Sequence, residues 1–394
     1  MTFPKPLNFD HQATTPVNER VLSEMLPYFT EKNGNPHSSD HIIGWQSSGA
    51  VDDAARKIAL MIGADQDEIV FTAGASEANN LALLGLAKHA AHGPRNRILV
   101  SAIEHKCVLE VSRVLSEQYG YKIDYIPVDN KGRIPEDAFS ALLDETVLAV
   151  SIMAVNNEIG TIQDIEALSK AARHAGAIFH CDAAQAPLAM NISTLARRTD
   201  LLSLSAHKMY GPQGIGALYI RRDLHDQIEP LIYGGGQQNG LRSGTVPVAL
   251  CVGMGAAAEL ICEADSTGAR NLLRERRDNF ARKVLRLNPD FHINGPSSSS
   301  RHPGNANICF RGYSAGEMLN AFQPRLAASS GSACTTGTPE LSHVLRAIGL
   351  SGDDSESSIR FSLGFGTSEQ DIDAATGIVE ETLTSLSTEL ADTA

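Results

Sequence analysis

The chain has 394 residues, of which 42% are hydrophobic and 20% are charged, so it is long enough for two domains of an ordinary globular protein. Its formal net charge of −13 argues against direct binding of nucleic acid, because surfaces that bind DNA or RNA are usually basic. No stretch approaches the roughly 18 consecutive apolar residues of a membrane helix, and residues 1–10 do not resemble a signal peptide. These properties predict a cytoplasmic protein without membrane contact.

The chain begins with irregular sequence over residues 1–15, followed by predicted helices at 17–29 and 47–61. From residue 68 onward, short apolar runs alternate with amphipathic segments. The apolar runs predict strands at 68–72, 97–101, 121–128, 146–152, 177–181, 200–204 and 216–220. The amphipathic segments predict helices at 76–92, 106–118 and 165–174. This alternation is typical of an α/β fold with a mainly parallel sheet flanked by helices, and it assigns residues 15–263 to a large cofactor-binding domain.

A change of pattern near residues 263–268 predicts a domain boundary. The elements predicted beyond it are a helix at 269–287, strands at 305–310 and 359–363, and helices at 315–322 and 340–348. We expect residues 1–14 and 264–394 to form a smaller α+β domain. Within that domain, the serine-rich run 296–300 is predicted to be a solvated connection.

The six cysteines are scattered, and no two of them have the Cys-x-x-Cys spacing that is common in zinc sites. We therefore expect no bound metal and a reducing compartment. Five cysteines lie in apolar or helical contexts. Cys334 instead lies in the run 327–339 of small and hydroxylated residues, where a mobile loop would leave its thiol accessible and reactive. The alternative is a small residue in a flexible loop without a chemical role.

Ligands of parallel sheets bind beyond the carboxyl ends of the strands, so the residues that follow each predicted strand are the candidates for a site. Gly74, Ala75 and Ser76 open a helix and could bind a phosphate through free N–H groups, or could simply cap the helix. His105 could stack on a flat cofactor or be an ordinary surface histidine. Asn157 could bind a ligand, and the alternative is that it shapes a turn.

Asp182 follows a buried strand, where a carboxylate needs a partner such as a protonated pyridine nitrogen; the alternative is a helix N-cap. Gln185 is close enough in sequence to reach the phenolic oxygen of the same ring. Lys208 follows another buried strand, and its amine can form a Schiff base with pyridoxal phosphate, with Ser205 and His207 as phosphate donors. A lysine that only reaches water is the alternative for this stretch alone. The order of these residues at successive strand ends favours a pyridoxal phosphate site.

Arg360 lies within a short apolar strand of the predicted smaller domain. A buried guanidinium group pairs best with a carboxylate, which it can bind through two parallel hydrogen bonds. In a protein that binds pyridoxal phosphate through a lysine, the α-carboxylate of an amino acid is the expected partner. A structural ion pair is the alternative.

Short motifs spread over nearly the whole chain match those of a known family. They are the runs 13–16 (ATTP), 71–77 (FTAGASE), 104–106 (EHK), 156–160 (NNEIG), 182–185 (DAAQ), 206–214 (AHKMYGPQG), 234–236 (GGG), 242–245 (RSGT), 329–334 (SSGSAC) and 359–362 (IRFS). On these motifs the chain resembles the cysteine desulfurases of the class V aminotransferase group, in the branch related to bacterial IscS and NifS. The resemblance implies a pyridoxal-phosphate fold of type I and a homodimer.

The resemblance also implies the roles of individual residues. Lys208 would bind pyridoxal phosphate covalently, His105 would stack on the pyridine ring, and Asp182 and Gln185 would contact the ring nitrogen and the phenolic oxygen. The implied phosphate ligands are Ser76, Ser205, His207 and, from the second subunit of the homodimer, Thr245.

For the substrate, the resemblance implies that Asn157 and Arg360 bind the carboxylate of L-cysteine. Cys334 would attack the cysteine sulfur, become a persulfide and pass the sulfur to an acceptor protein, while L-alanine leaves. The second enzyme reading is a selenocysteine lyase or another pyridoxal-dependent β-eliminating enzyme, which would not need Cys334. The reading that is not enzymatic is a degenerate platform protein in a sulfur-transfer complex.

The chain departs from the family pattern in three places. The run 235–239 (GGQQN) replaces the usual Gly-Gly-His-Glu-Arg or Gly-Gly-Gln-Glu-Arg and so lacks two charges. Gln213 replaces the lysine of Gly-Pro-Lys-Gly, and the segment after Ser362 is shorter than in relatives that dock an iron–sulfur scaffold. We therefore expect a dedicated sulfur acceptor, for tRNA thiolation, cofactor synthesis or DNA phosphorothioation, with iron–sulfur cluster assembly as the alternative.

Overall fold

The computed structural model describes residues 6–91, 93–330 and 341–393, with side chains as far as residue 388. The strands in these ranges are β1 (Leu7–Asn8), β2 (Ile69–Thr72), β3 (Arg97–Ser101), β4 (Lys122–Ile126), β5 (Val147–Ser151), β6 (Ile178–Asp182), β7 (Leu201–Ser205), β8 (Gly216–Ile220), β9 (His292–Ile293), β10 (Asn305–Cys309), β11 (Leu326–Ala327) and β12 (Ser358–Ser362). The helices are α1 (Glu19–Met25), α2 (Pro27–Thr30), α3 (Ile42–Ile62), α4 (Ala75–His89), α5 (Lys106–Tyr119), α6 (Glu136–Ser140), α7 (Ile165–His174), α8 (Ala186–Ala189), α9 (Leu195–Arg198), α10 (Val248–Thr267), α11 (Ala269–Leu285), α12 (Ala315–Phe322), α13 (His343–Ala347), α14 (Gly352–Glu356) and α15 (Glu369–Thr393).

The large sheet has seven strands in the order β2-β8-β7-β6-β5-β3-β4. Strands β7, β6, β5, β3 and β4 pair in parallel, whereas β8 runs antiparallel to both of its neighbours, β2 and β7. Helices α4 and α5 cover one face, and helices α3, α7 and α10 cover the other. Buried apolar residues such as Leu201 and Leu202 point to opposite faces, as the period of two in a strand requires. The predicted α/β fold with a mainly parallel sheet flanked by helices is confirmed.

A second core forms around the antiparallel sheet β12-β10-β9. Helices α11, α12 and α15 cover it, and buried aromatic rings fill it, with Phe280 and Phe361 at 5.1 Å between ring centroids. Phe9, next to β1, packs against Phe280 in this core, also at 5.1 Å. The N-terminal residues therefore contact the C-terminal part of the chain. The division into domains 15–263 and 1–14 with 264–394 stays a prediction.

The structure departs from the predicted elements in several places. The predicted boundary at 263–268 is mostly helical, because α10 continues to Thr267 and only Gly268 leaves the helix, with a left-handed φ of 70°. Helix α15 was not among the predicted elements, although its first turn carries the acidic residues Glu369 and Asp371, which are typical of a helix start. The serine-rich run is not only a solvated connection. The hydroxyl of Ser298 accepts a hydrogen bond from Arg277 (2.9 Å) and donates one to Asp278 (2.7 Å).

Arg301 connects this second core to the loop that follows β5. The residue is only 1% exposed, and its guanidinium group donates hydrogen bonds to the carbonyl of Ile159 (2.8 Å) and to Oδ1 of Asn305 (2.9 Å). Further hydrogen bonds go to the carbonyls of Asn294 and Pro296. A charged group at this depth is tolerated only because these acceptors surround it.

In the described part of the chain, no helix has both the length and the apolar composition that crossing a membrane would need. The same residues contain no group of three or more His, Cys, Asp or Glu side chains arranged to hold a metal ion.

We expect Arg301→Ala to destabilise the protein by about 3 kcal/mol or more, because it leaves several buried carbonyl groups without donors. The expected result is a clearly lower thermal unfolding midpoint, measured by calorimetry. Arg286→Ala is the matched control, because Arg286 is an exposed arginine at the end of α11 and its removal should change the midpoint little. Equal midpoints for the two variants would contradict the structural role of Arg301.

Candidate active site

A cavity of about 1010 Å³ opens at the carboxyl ends of the parallel strands. The predicted site residues on its wall are Gly74, Ala75, Ser76, His105, Asn157, Asp182, Gln185, Ser205, His207, Lys208 and Arg360. Thr245 is exposed and does not line the cavity. Cys334 lies outside the described residues. Apart from these two residues, the structure brings together within one chain the residues predicted for cofactor and substrate.

The turn between β2 and α4 has the geometry of an anion site. The hydroxyl of Thr72 donates to the carbonyl of Gly74 (2.9 Å), and the Glu77 carboxylate accepts from the N–H of Ala73 (2.7 Å). Ser76, in the first turn of α4, is exposed toward the cavity beside the free N–H groups at the start of that helix. A Cβ atom at Gly216 would lie 2.6 Å from Cα of Gly74, so the glycine lets this turn lie against β8.

Asp182 is the last residue of β6 and is only 5% exposed. Its carboxylate accepts hydrogen bonds from Nδ2 of Asn79 (2.8 Å) and from the N–H of Ala184 (2.9 Å). Together these two donors fix the orientation of the carboxylate. The side chain lies on the cavity wall, where an ionised carboxylate can pair with a cationic ring nitrogen.

His105 precedes α5 and caps it with its ring. Its Nδ1 accepts a hydrogen bond from the N–H of Cys107 (3.2 Å), and the Cys107 sulfur lies 3.0 Å from the same nitrogen. Because Nδ1 accepts, the neutral ring carries its proton on Nε2. Burial lowers the pKa of His105, and the charges of Lys208 and Lys106 lower it further, against the opposing charge of Asp182. The ring therefore remains neutral near pH 7 and can offer an Nε2–H donor.

Lys208 lies in the helical turn that follows β7. Its Nζ donates hydrogen bonds to the backbone carbonyls of Gln12 (2.5 Å) and Ala13 (2.7 Å). Burial lowers its pKa to about 8, assisted by the positive charge of Arg360 and opposed by the charges of Asp10 and Asp182. An amine with this pKa is partly neutral near physiological pH, and the neutral form is the nucleophile.

Sequence reasoning missed the contribution of residues 10–15 to the site. The carbonyl of Gln12 accepts from Nε2 of Gln185 (3.0 Å) as well as from Lys208. The hydroxyl of Thr14 lies 3.2 Å from Nδ1 of His207. Backbone carbonyls carry no side-chain signature, so no signal for the Gln12 contacts exists in the sequence.

Arg360 reaches the cavity from β12, in the second core. Its Nη2 donates to Oδ1 of Asp10 (2.7 Å), and its Nη1 donates to the carbonyl of Asn157 (2.9 Å). Among the described residues, buried Nε has no hydrogen-bond partner. The arginine thus makes an ion pair with Asp10, the alternative left open by the sequence, and also lines the cavity.

The tandem asparagines have different environments. The side chain of Asn156 is fully buried and shapes the turn, since its Oδ1 accepts from the N–H groups of Glu158 and Ile159 (both 2.9 Å). Asn157 lies on the cavity wall instead. The turn-shaping alternative therefore applies to Asn156, and the ligand-binding prediction concerns Asn157.

Two buried glutamates near the cavity were also missed, although both lie in the family motifs. Glu158 accepts a hydrogen bond from the hydroxyl of Ser342 (2.5 Å), and burial raises its pKa to about 7 despite the nearby charges of Arg360 and Lys106. Burial and the charge of Asp182 raise the pKa of Glu104 well above its ordinary value. The shifts favour a protonated carboxyl group on Glu104, close to Asp182, and partial protonation of Glu158 on the cavity wall near pH 7.

Comparisons with known proteins agree with this geometry. The family model described as Aminotransferase class-V matches residues 7–375. The proteins called cysteine desulfurase IscS from Rickettsia rickettsii and Rickettsia typhi are each 44% identical to the chain over 95% of its length and 90% of theirs.

Among solved structures, a NifS-like protein superposes with a TM-score of 0.88 at 34% identity, covering 96% of this chain and 99% of that protein. SspA in complex with cysteine gives a TM-score of 0.76 at 36% identity, covering 91% and 99% of the two chains. DndA from Streptomyces lividans gives 0.75 at 33% identity, covering 92% and 99%.

The lowered pKa of Lys208 gives a testable pH dependence. Only the neutral amine captures an aldehyde, and its fraction grows as the pH rises through about 8, compared with 10.5 for an ordinary lysine. We expect the rate of covalent pyridoxal phosphate capture by the apo protein to rise with pH and to have its midpoint near pH 8. Stopped-flow visible absorbance measures this rate. Lys208→Ala should show no covalent capture, and a midpoint above about pH 10 would contradict the perturbed pKa.

Proposed function

The chain belongs to the class-V aminotransferase family, and we propose that it acts as a cysteine desulfurase, which converts L-cysteine to L-alanine and leaves the sulfur on Cys334 as a persulfide. The observation that carries the proposal is the 44% identity to IscS cysteine desulfurases over 95% of the chain. The cavity supports it, because an amine, a carboxylate and a guanidinium group converge there.

The cofactor of this family is pyridoxal phosphate, and the cavity fits it. The turn between β2 and α4 offers N–H groups and Ser76 to a phosphate, while Ser205 and His207 lie on the same wall. Asp182 offers a buried carboxylate to the ring nitrogen, and Gln185 lies three residues further on. When bound, pyridoxal phosphate acts as an electron sink for the charge that develops at the substrate Cα.

In the proposed reaction, Arg360 and Asn157 orient the substrate carboxylate. Lys208 moves the proton at Cα, since its lowered pKa allows the amine to accept and return a proton near neutral pH. His105 lies on the cavity wall, where its imidazole would contact the pyridine ring of the cofactor and supply a donor from Nε2. The imidazole carries its proton on Nε2 because Nδ1 accepts a hydrogen bond from the N–H of Cys107.

Sulfur transfer needs the thiolate of Cys334. The thiolate forms a bond to the sulfur of L-cysteine, the substrate carbon–sulfur bond breaks, and Cβ takes up a proton to give L-alanine. The reaction therefore needs no external oxidant or reductant. The outer sulfur of the Cys334 persulfide must be removed before the next turnover, so we infer that an acceptor protein takes it. Tests of the acceptor must distinguish tRNA thiolation, cofactor synthesis, DNA phosphorothioation and iron–sulfur assembly. The predicted cytoplasmic location suits this thiol chemistry.

We infer a homodimer, and the position of Thr245 supports it. Thr245 is exposed and lies outside the cavity of its own chain, so a phosphate contact from it requires a second subunit. Exposed apolar side chains support this proposal, namely Leu26 (54%) between α1 and α2, Phe29 (57%) on α2 and Trp45 (56%) on α3. Apolar patches of this kind are usually covered by a partner.

The role of Cys334 separates the desulfurase from its rival. We expect Cys334→Ala to abolish both the protein persulfide and the release of alanine from L-cysteine, because Cys334 is the thiol proposed to accept the sulfur. Mass spectrometry and an alanine assay measure the two products. Cys262→Ala is the matched control, since Cys262 is an exposed cysteine on α10. Full turnover by Cys334→Ala would support a selenocysteine lyase or another β-eliminating enzyme, and a protein that takes up no pyridoxal phosphate would support the platform alternative.

The substrate role of Arg360 can be tested by Arg360→Lys. The change keeps the charge but removes the planar pair of donors, so we expect the KM for L-cysteine to rise about tenfold or more. Steady-state kinetics at saturating pyridoxal phosphate measure this effect. Arg311→Lys is the control, because Arg311 is an exposed arginine that pairs with Asp354 (2.9 Å) away from the cavity. The same KM in both variants would exclude the proposed role.

A further inference from the structure

Strand β2 lies at the edge of the large sheet, and a glutamine side chain completes its hydrogen bonding. The N–H of Phe71 donates to Oε1 of Gln238 (2.7 Å), and Nε2 of Gln238 donates to the carbonyl of Phe71 (3.0 Å). An edge strand normally leaves such groups to solvent. The side-chain amide of Gln238 therefore pairs with Phe71 as the backbone of a neighbouring strand would, through one donor and one acceptor.

A second contact from the same segment reaches the far side of the anion-binding turn. Nε of Arg242 donates to Oε1 of Glu77 (2.8 Å), and Oε2 of Glu77 accepts from the N–H of Ala73 (2.7 Å). Nε2 of Gln238 also lies 3.4 Å from the carbonyl of Arg242, which joins the two contacts. We call these two pairs of contacts, Gln238 with Phe71 and Arg242 with Glu77, the edge clasp.

The edge clasp holds the turn of residues 72–77 from the edge of the sheet, and β8 contacts the same turn from the other side. Phe71 is one residue before Thr72, where the turn begins, and Glu77 is in the first turn of α4. On the inner side, Gly216 allows the turn to approach β8 closely. Displacement of Phe71 would therefore move the N–H groups that face the cavity.

The backbone of the clasp segment is itself in a less favourable conformation. Gln238 and Asn239 have left-handed φ angles of 52° and 57°. Asparagine tolerates this region, but glutamine adopts it rarely. Such a conformation persists only where the surroundings stabilise it, and the two hydrogen bonds to Phe71 provide that stabilisation.

We propose that Gln238 is a positioning residue for the phosphate of the cofactor, which acts through Phe71 on the turn of residues 72–77. The proposal rests on the proposed function in one respect, that the phosphate of pyridoxal phosphate binds at this turn. A turn that is ordered before binding loses less conformational freedom when the phosphate arrives, so the edge clasp increases cofactor affinity.

The test compares Gln238→Glu, Gln238→Ala and the control Gln118→Glu in the full-length apo protein. Glutamate at position 238 can still accept from Phe71 but cannot donate to its carbonyl, whereas alanine removes both hydrogen bonds. Gln118 is an exposed residue on α5, where the same change only adds a charge. Equilibrium dialysis gives the dissociation constant of pyridoxal phosphate. We expect an increase of about fivefold for Gln238→Glu, a larger one for Gln238→Ala, and no change for the control.

Two further measurements separate positioning from a general loss of stability. Hydrogen–deuterium exchange should show faster exchange of the Phe71 amide in Gln238→Ala, with unchanged exchange in α15. At saturating pyridoxal phosphate, the kcat of both variants should stay within about twofold of the wild type. Equal cofactor dissociation constants in the wild type and both Gln238 variants would overturn the positioning role of Gln238 and leave the proposed function intact. A wild-type chain that binds no pyridoxal phosphate would instead overturn the proposed function.

Discussion

Parallel pairing of β3, β5, β6 and β7 is the constraint on which the site depends. Parallel strands end at the same edge of a sheet, so the residues that follow them meet, although they are separated by about a hundred positions in sequence. His105, Asn157, Asp182 and Lys208 all reach the cavity in this way. Strand β2 belongs to the same arrangement because two antiparallel pairings, through β8, give it the direction of β7.

Burial affects the protonation of the groups around the cavity as strongly as their charged neighbours do. Burial and the charge of Arg360 lower the pKa of Lys208, while Asp10 and Asp182 oppose the shift. Glu104 lies close to Asp182, and burial raises its pKa, so that its carboxyl group stays neutral. Asp182, the expected partner of the ring nitrogen, therefore has no second negative charge from Glu104 beside it. Removing a partner therefore changes the protonation of several groups at once, since their interactions are coupled.

The parts of the site that the sequence could predict are side chains placed by regular elements. Asp182 and Lys208 were found because they follow buried strands, and the parallel sheet then requires them to meet. Contacts between a side chain and a distant backbone group could not be predicted in this way. Lys208 with Gln12 and Gln238 with Phe71 are both of this kind, and neither leaves a periodic pattern. The sequence flagged the departure at residues 235–239, but its effect depends on an edge strand that only the fold reveals.

The cavity also depends on the contact between the two cores. Lys208 follows a strand of the large sheet, whereas Arg360 lies on β12 in the second core, and residues 10–13 contact both. Oε1 of Gln12 accepts from Asn305 on β10 (2.7 Å), so the carbonyl that receives Lys208 is fixed relative to the sheet that carries Arg360. The N-terminal segment therefore sets the distance between the amine of Lys208 and the guanidinium group of Arg360. The relative positions of Lys208 and Arg360 therefore depend on contacts that neither core could provide alone.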